Sequence, residues 1–104
     1  MDKNKLGYLL VNVRYARGAV PVMGASAELT LDGRVIGQYM TDIDGKTELI
    51  RLEPNDGYYI KVTSPMLEAR EYGPIPVING ITTLQNVELF PSVAFGKGEM
   101  LSDI

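Results

Sequence analysis

The sequence predicts an all-β protein: a Greek-key antiparallel β-sandwich of about seven short strands. Three observations carry that expectation. Apolar residues recur with a period of two, the spacing that places every second side chain on one face of a strand. Turn-forming residues punctuate the chain at strand-length intervals. No segment sustains a helical periodicity.

The elements follow in order. In Gly7 to Tyr15, Leu9, Val11 and Val13 share one face, with Asn12 and Arg14 on the other. Gly18 and Pro21 end that strand, and Pro21 to Ala25 reads as a connection. Ala25, Ala27, Leu29 and Leu31 then alternate with Ser26, Glu28 and Thr30, the cleanest alternation in the chain. Asp32-Gly33 is a hairpin signal, because glycine accepts a positive φ without steric cost, and Arg34 to Thr41 returns as the partner strand. Lys46 to Leu52 is the next strand, and Glu53 to Gly57 is a dense turn cluster. Tyr58, Ile60 and Val62 share a face of the following strand, which Ser64-Pro65 closes. Residues 66–74 read as an irregular segment with room for one helical turn. Pro74 to Ile78 is a short edge-like strand, since each proline lacks an N–H for the ladder. Asn79-Gly80 is a turn, and Ile81 to Phe90 is the last strand, with Val87 and Leu89 inward.

Length and composition bound the function. The chain has 104 residues, enough for one domain with one modest core. The division expected is a flexible N-terminus over 1–5, a sandwich over 6–91 and a tail over 92–104 that either frays or docks. A net charge of −3 with no basic cluster argues against nucleic acid as a partner. With no cysteine, thiol catalysis, disulfides and cysteine-held zinc or iron–sulfur groups are excluded. With no histidine, the commonest general base and metal ligand is missing as well. No cofactor is expected. The apolar run Tyr8 to Val11 is too short for a membrane span or a signal-peptide core, so neither membrane insertion nor export is expected from the chain itself.

The stretch Thr41-Asp42-Ile43-Asp44-Gly45-Lys46 poses the sharpest chemical question. Asp42-x-Asp44 could open a calcium loop, and a loop of about twelve residues from Asp42 would end on Glu53, where a bidentate glutamate belongs. The details oppose it. Lys46 stands where an oxygen ligand is needed, Thr47 where a sharp bend needs glycine, and the flanks are strands. A β-turn accounts for the same residues: Asp42 accepts backbone hydrogen bonds and Gly45 supplies the positive φ. The turn is the expected reading, and Asp32, Gly33, Asp42, Asp44, Gly45, Asn79 and Gly80 are all expected to be structural.

Other candidates are weaker. Glu68 and Glu71 could form a carboxylate pair, but Arg70 lies between them and no cleft is evident. The tyrosines, Tyr59 and Tyr72 among them, could present rings to a carbohydrate; strands also favour tyrosine for cross-strand packing. The tail carries Phe95, Met100, Leu101 and Ile104, an apolar cluster able to meet this sheet or that of another copy. Sheet edges offer a further route, by strand addition.

One resemblance covers most of the chain. Gly7-x-Leu9-x-Val11-x-Val13, Pro21-Val22-x-Gly24-Ala25-x-Ala27-x-Leu29, Thr41-Asp42-x-Asp44-Gly45, Tyr59-x-Lys61-Val62 and Val87-x-Leu89-x-Pro91, in that order, resemble the carboxypeptidase regulatory-like domain. The resemblance implies a transthyretin-like (prealbumin-like) sandwich and an accessory role, mostly in exported or surface proteins. A looser one runs through Pro74-Ile75-Pro76-Val77 and Gly80 to Pro91, similar to modules of clostridial spore-cortex and peptidoglycan-processing proteins. It implies a spore or cell-envelope setting. Transthyretin-like folds also host 5-hydroxyisourate hydrolase, which uses histidines and a C-terminal Tyr-Arg-Gly-Ser motif; this sequence has neither.

Together these readings give a non-catalytic interaction or structural module that binds another protein or itself. The alternative is a carbohydrate or cell-wall glycan binder. Either reading puts partner contacts at Tyr59, Tyr72, Phe95, Met100, Leu101 and Ile104.

Overall fold

The computed structural model describes residues 5–91. Its strands are β1 (Gly7–Tyr15), β2 (Val20–Pro21), β3 (Ser26–Leu31), β4 (Arg34–Met40), β5 (Ile50–Leu52), β6 (Asn55–Ser64), β7 (Leu67–Val77) and β8 (Thr82–Leu89). They form two sheets, and no helix occurs among the described residues. In the first sheet β1 is central, with β8 on one side and the short β2 and β5 on the other. The second runs β4-β3-β6-β7.

The period-two rows become the core. Leu9, Val11 and Val13 of β1 face Ala27 and Leu29 of β3 and Tyr58, Ile60 and Val62 of β6 across a dry interior. Val22, Ala25, Ile50, Leu52, Ile75, Val77, Val87 and Leu89 complete it. Each such side chain removed from water contributes about 1.5–3 kcal/mol, which makes this double layer the main source of stability.

Five details depart from the sequence expectation. The supposed connection at Pro21 contains β2, which pairs with the end of β1 through Arg14↔Pro21 and Tyr15↔Val20. The strand expected over Lys46 to Leu52 shortens to Ile50–Leu52; Lys46 makes only an isolated bridge to Asn12. The turn cluster at Glu53 to Gly57 is half strand, since β6 begins at Asn55. The segment 66–74 is extended rather than irregular or helical, because β7 pairs with β6 through Arg70↔Val62, Glu71↔Lys61 and Tyr72↔Ile60. That ladder absorbs Gly73 and Pro74 through register shifts. Finally, β1 and β8 run parallel, from Tyr8↔Thr82 to Tyr15↔Leu89, while the other strand pairs are antiparallel. A parallel pair needs a long crossover, and here nearly the whole sandwich serves as that connection.

The sandwich is laced where β7 and β8 meet. The Thr83 hydroxyl donates to the Pro76 carbonyl at 2.8 Å, and the Glu68 N–H donates to the Phe90 carbonyl at 2.7 Å. Between them the Arg70 guanidinium lies 5.5 Å from the Tyr72 ring centre and 5.3 Å from that of Phe90. Both distances are within cation–π range.

Candidate functional site

An edge strand leaves a row of backbone donors and acceptors unpaired, so each edge of a sandwich must be covered, shortened or blunted. Here β8 is laced to β7 as described. β2 and β5 are short. β7 carries Pro74 and Pro76, which cannot donate, and the charges of Glu68, Arg70 and Glu71. β4 differs from all of these. Like β7 it ends the second sheet with no described strand on its outer side, but it is seven residues long and carries no proline.

The geometry of β4 follows from the turns at its two ends. Asp32 and Gly33 hold φ of 54° and 79°, the pair of left-handed residues that a tight hairpin needs, and send β4 back along β3. At the far end the Thr41 N–H donates to the Ala25 carbonyl at 3.0 Å, and the Thr41 carbonyl accepts the Gly24 N–H at 2.9 Å. Thr41 therefore turns both backbone groups toward β3. Alternation then directs those of Met40 and Gln38 outward, to the free edge.

Apolar side chains recur along this edge, beside the exposed polar Arg34 and Gln38. Val35, Ile36 and Met40 are exposed, with Ile43 and Met23 flanking the Met40 end. Ile36 sits at a bulge, where pairing with β3 shifts between Leu29↔Gly37 and Thr30↔Val35. The regular part of the edge is thus Gly37 to Met40. Beside it lies a hollow of about 200 Å³ lined by Gln38, Tyr39, Met40 and Glu48. On the outer face the Gln38 amide donates to the Ser26 hydroxyl at 2.8 Å.

The turn at Asp42 secures the same end of β4. One Asp42 carboxylate oxygen accepts the N–H groups of Asp44 at 2.9 Å and Lys46 at 3.0 Å. The Asp42 carbonyl accepts from Gly45 at 2.9 Å. Gly45 has φ of 80°, and a Cβ there would lie 2.5 Å from the Val13 carbonyl oxygen. No group of three or more acidic side chains converges on a point that could hold a metal ion among the described residues.

Thr41 and Thr47, to which the sequence reading gave no anchoring role, secure this turn. The buried Thr41 hydroxyl accepts the Ala25 N–H at 2.9 Å and donates to the Val22 carbonyl at 2.5 Å. The buried Thr47 hydroxyl accepts the Val11 N–H at 3.1 Å. The signal available was their symmetric placement one residue outside Asp42 and Lys46.

The expected contact residues do not converge on β4. Tyr59 is 39% exposed, and its ring lies directly over Gly73, so one face is already covered. Tyr72 is half-buried and packs on the core from β7. Phe95, Met100, Leu101 and Ile104 lie outside the described residues. Asn79-Gly80 closes the turn before β8, where the Ile81 N–H donates to the Ile78 carbonyl at 3.0 Å. Glu68 and Glu71 are exposed on β7, and alternation places Glu71 on the face opposite Tyr72.

Comparison with known proteins places the architecture. No family model matches the chain, and no curated protein does. Among solved structures, the TIE protein of Bacillus anthracis superposes with a TM-score of 0.65 at 16% identity, covering 84% of this chain. The chain spans only 17% of that protein's length. The 5-hydroxyisourate hydrolase of Klebsiella pneumoniae superposes with a TM-score of 0.56 at 11% identity, covering 82% of this chain and 98% of the hydrolase. Likeness at these identities speaks for architecture alone, and the architecture is the transthyretin-like β-sandwich.

Proposed function

We propose that this chain is a non-catalytic interaction module that binds a protein segment, or a second copy of itself, by adding a strand along β4. One observation carries the reading: β4 is an edge with outward backbone groups at Gln38 and Met40 and exposed apolar side chains, while the other edges are short, laced or blocked by proline. Strand addition draws affinity from the backbone ladder and specificity from pockets that take alternate side chains. The hollow at Gln38, Tyr39, Met40 and Glu48 suits one such side chain of an incoming strand. Exposed methionines add a surface that repacks around differing partners.

The test pairs sedimentation of the protein over a concentration series with selection of binders from a displayed random-peptide library. Both are repeated with Gln38→Pro and Met40→Lys. The proline removes an outward N–H without a β3–β4 ladder bond, and the lysine charges the edge. Self-association or selected extended peptides in the wild type, lost in both variants, supports the proposal. A monomer that selects no peptide, or binding indifferent to both variants, overturns it.

A further inference from the structure

A second concave region lies on the outer face of the first sheet, away from β4. It holds about 480 Å³ and is lined by Asn12 and Arg14 of β1, Asn86 and Glu88 of β8, Arg17 of the β1–β2 loop and Tyr72 of β7. That volume falls in the usual range for small-molecule pockets. Its polar side chains follow from the parallel pairing of β1 with β8. The register Asn12↔Asn86 and Arg14↔Glu88 stacks two amides beside a guanidinium and a carboxylate, all on the face opposite Val11, Val13 and Val87.

The groups are held in place. The Asn12 amide donates to the Asn86 side-chain oxygen at 3.1 Å. Arg14 spends its Nε–H on the Gly18 carbonyl at 2.7 Å, which leaves the terminal NH₂ groups of its guanidinium for other acceptors. That carbonyl is presented by a strained loop: Ala16, Arg17 and Gly18 hold φ of 56°, 60° and 84° in succession. A left-handed conformation costs roughly 1–2 kcal/mol for each non-glycine residue, and this loop holds two of them beside the cleft. Although Arg14 and Glu88 are register partners, neither they nor Arg17 closes an ion pair among the described residues.

We infer that this cleft binds a sugar acid, a ring bearing both hydroxyls and a carboxylate. Arg14 and Arg17 supply planar donors suited to a carboxylate. Asn86 and Glu88 supply acceptors, and the amides further donors, for hydroxyls. Glu88 favours a ligand that brings hydroxyls to donate to its carboxylate over a bare anion. Tyr72 gives the one aromatic wall, suited to the C–H face of a sugar ring. Val87 lines the cleft between Asn86 and Glu88, with its side chain buried in the core.

The probe is glucuronate, titrated into the isotopically labelled full chain and followed by amide shifts, with glucose and acetate in parallel. The expected result is saturable shifts for glucuronate centred on Asn12, Arg14, Asn86 and Glu88, with glucose and acetate at least about tenfold weaker. Arg17→Ala should weaken glucuronate by about tenfold or more, the scale of a lost charge-assisted hydrogen bond, while Arg51→Ala leaves it unchanged. The fold of each variant is checked by its own spectrum, and Arg17→Lys serves where alanine disturbs the loop. Acetate binding as well as glucuronate reveals a bare anion site and overturns the inference. So does saturation centred elsewhere, or no glucuronate shift. None of these outcomes bears on β4.

Discussion

Thr47 and Val11 are joined twice: the Thr47 hydroxyl accepts the Val11 N–H at 3.1 Å, and the Thr47 N–H donates to the Val11 carbonyl at 3.0 Å. A side chain here finishes what the β-ladder does not, because β5 pairs with β1 only from Gly7 to Leu9. Thr47→Val keeps the shape and leaves the buried Val11 N–H without an acceptor. The expected loss is about 1–3 kcal/mol in denaturant unfolding, with an unchanged m-value. Thr47→Ser, which keeps the hydroxyl, should lose less.

The Asp42 carboxylate holds its turn by accepting two backbone N–H groups, those of Asp44 and Lys46. Asp42→Ala removes two acceptor contacts and should cost about 1–2 kcal/mol, and Asp42→Asn less. Calcium should leave the melting temperature of the wild type unchanged. A melting temperature that climbs with calcium and is flat in Asp42→Ala would contradict the turn assignment.

Gly73 and Tyr59 form a packed pair in which a Cβ on Gly73 would collide with the ring. Gly73→Ala should therefore destabilise by about 1–3 kcal/mol. Tyr59→Ser in the same background should recover part of that loss, and a double-mutant cycle measures the coupling. Additive effects would show that the ring does not need the glycine.

Tyr58 is buried in the core and donates its hydroxyl to the Glu53 carbonyl at 2.6 Å. Burial, and then the Glu53 charge, push its pKa above the ordinary 10.0. The folded state thus favours the neutral phenol. Its contribution is fully present below pH 10.0 and is lost as pH rises through the folded-state pKa. Stability should therefore fall most steeply between pH 10.0 and the folded-state pKa, and Tyr58→Phe should flatten the profile there. Identical slopes for the two proteins would contradict the assignment.

Much of the sandwich was legible because burial on one face writes a period of two into the strands. Leu9, Val11 and Val13, or Tyr58, Ile60 and Val62, need no partner to be recognised. Residues 66–74 hid their strand. Gly73 and Pro74 read locally as breakers, yet an edge strand tolerates both where the ladder shifts register. Arg70 compounded this, since an inward-facing arginine is only intelligible beside Tyr72 and Phe90. The parallel partnership of β1 with β8 leaves no local mark, and so neither does the cleft built upon it. For β4, sequence showed the hairpin but not which edges the fold would cover. Thr41 and Thr47 read as strand residues beside the turn, and their placement alone does not announce that their hydroxyls meet Val22, Ala25 and Val11.

The most direct test of the open edge is backbone amide hydrogen exchange, resolved by residue along β4. In dilute protein the amides of Gln38 and Met40 should exchange fast while those of Tyr39 and Thr41 are protected. Self-association or a selected peptide should then protect Gln38 and Met40 selectively. Uniform protection along β4 at every dilution, or a bound state that leaves Gln38 and Met40 exchanging freely, would contradict the account.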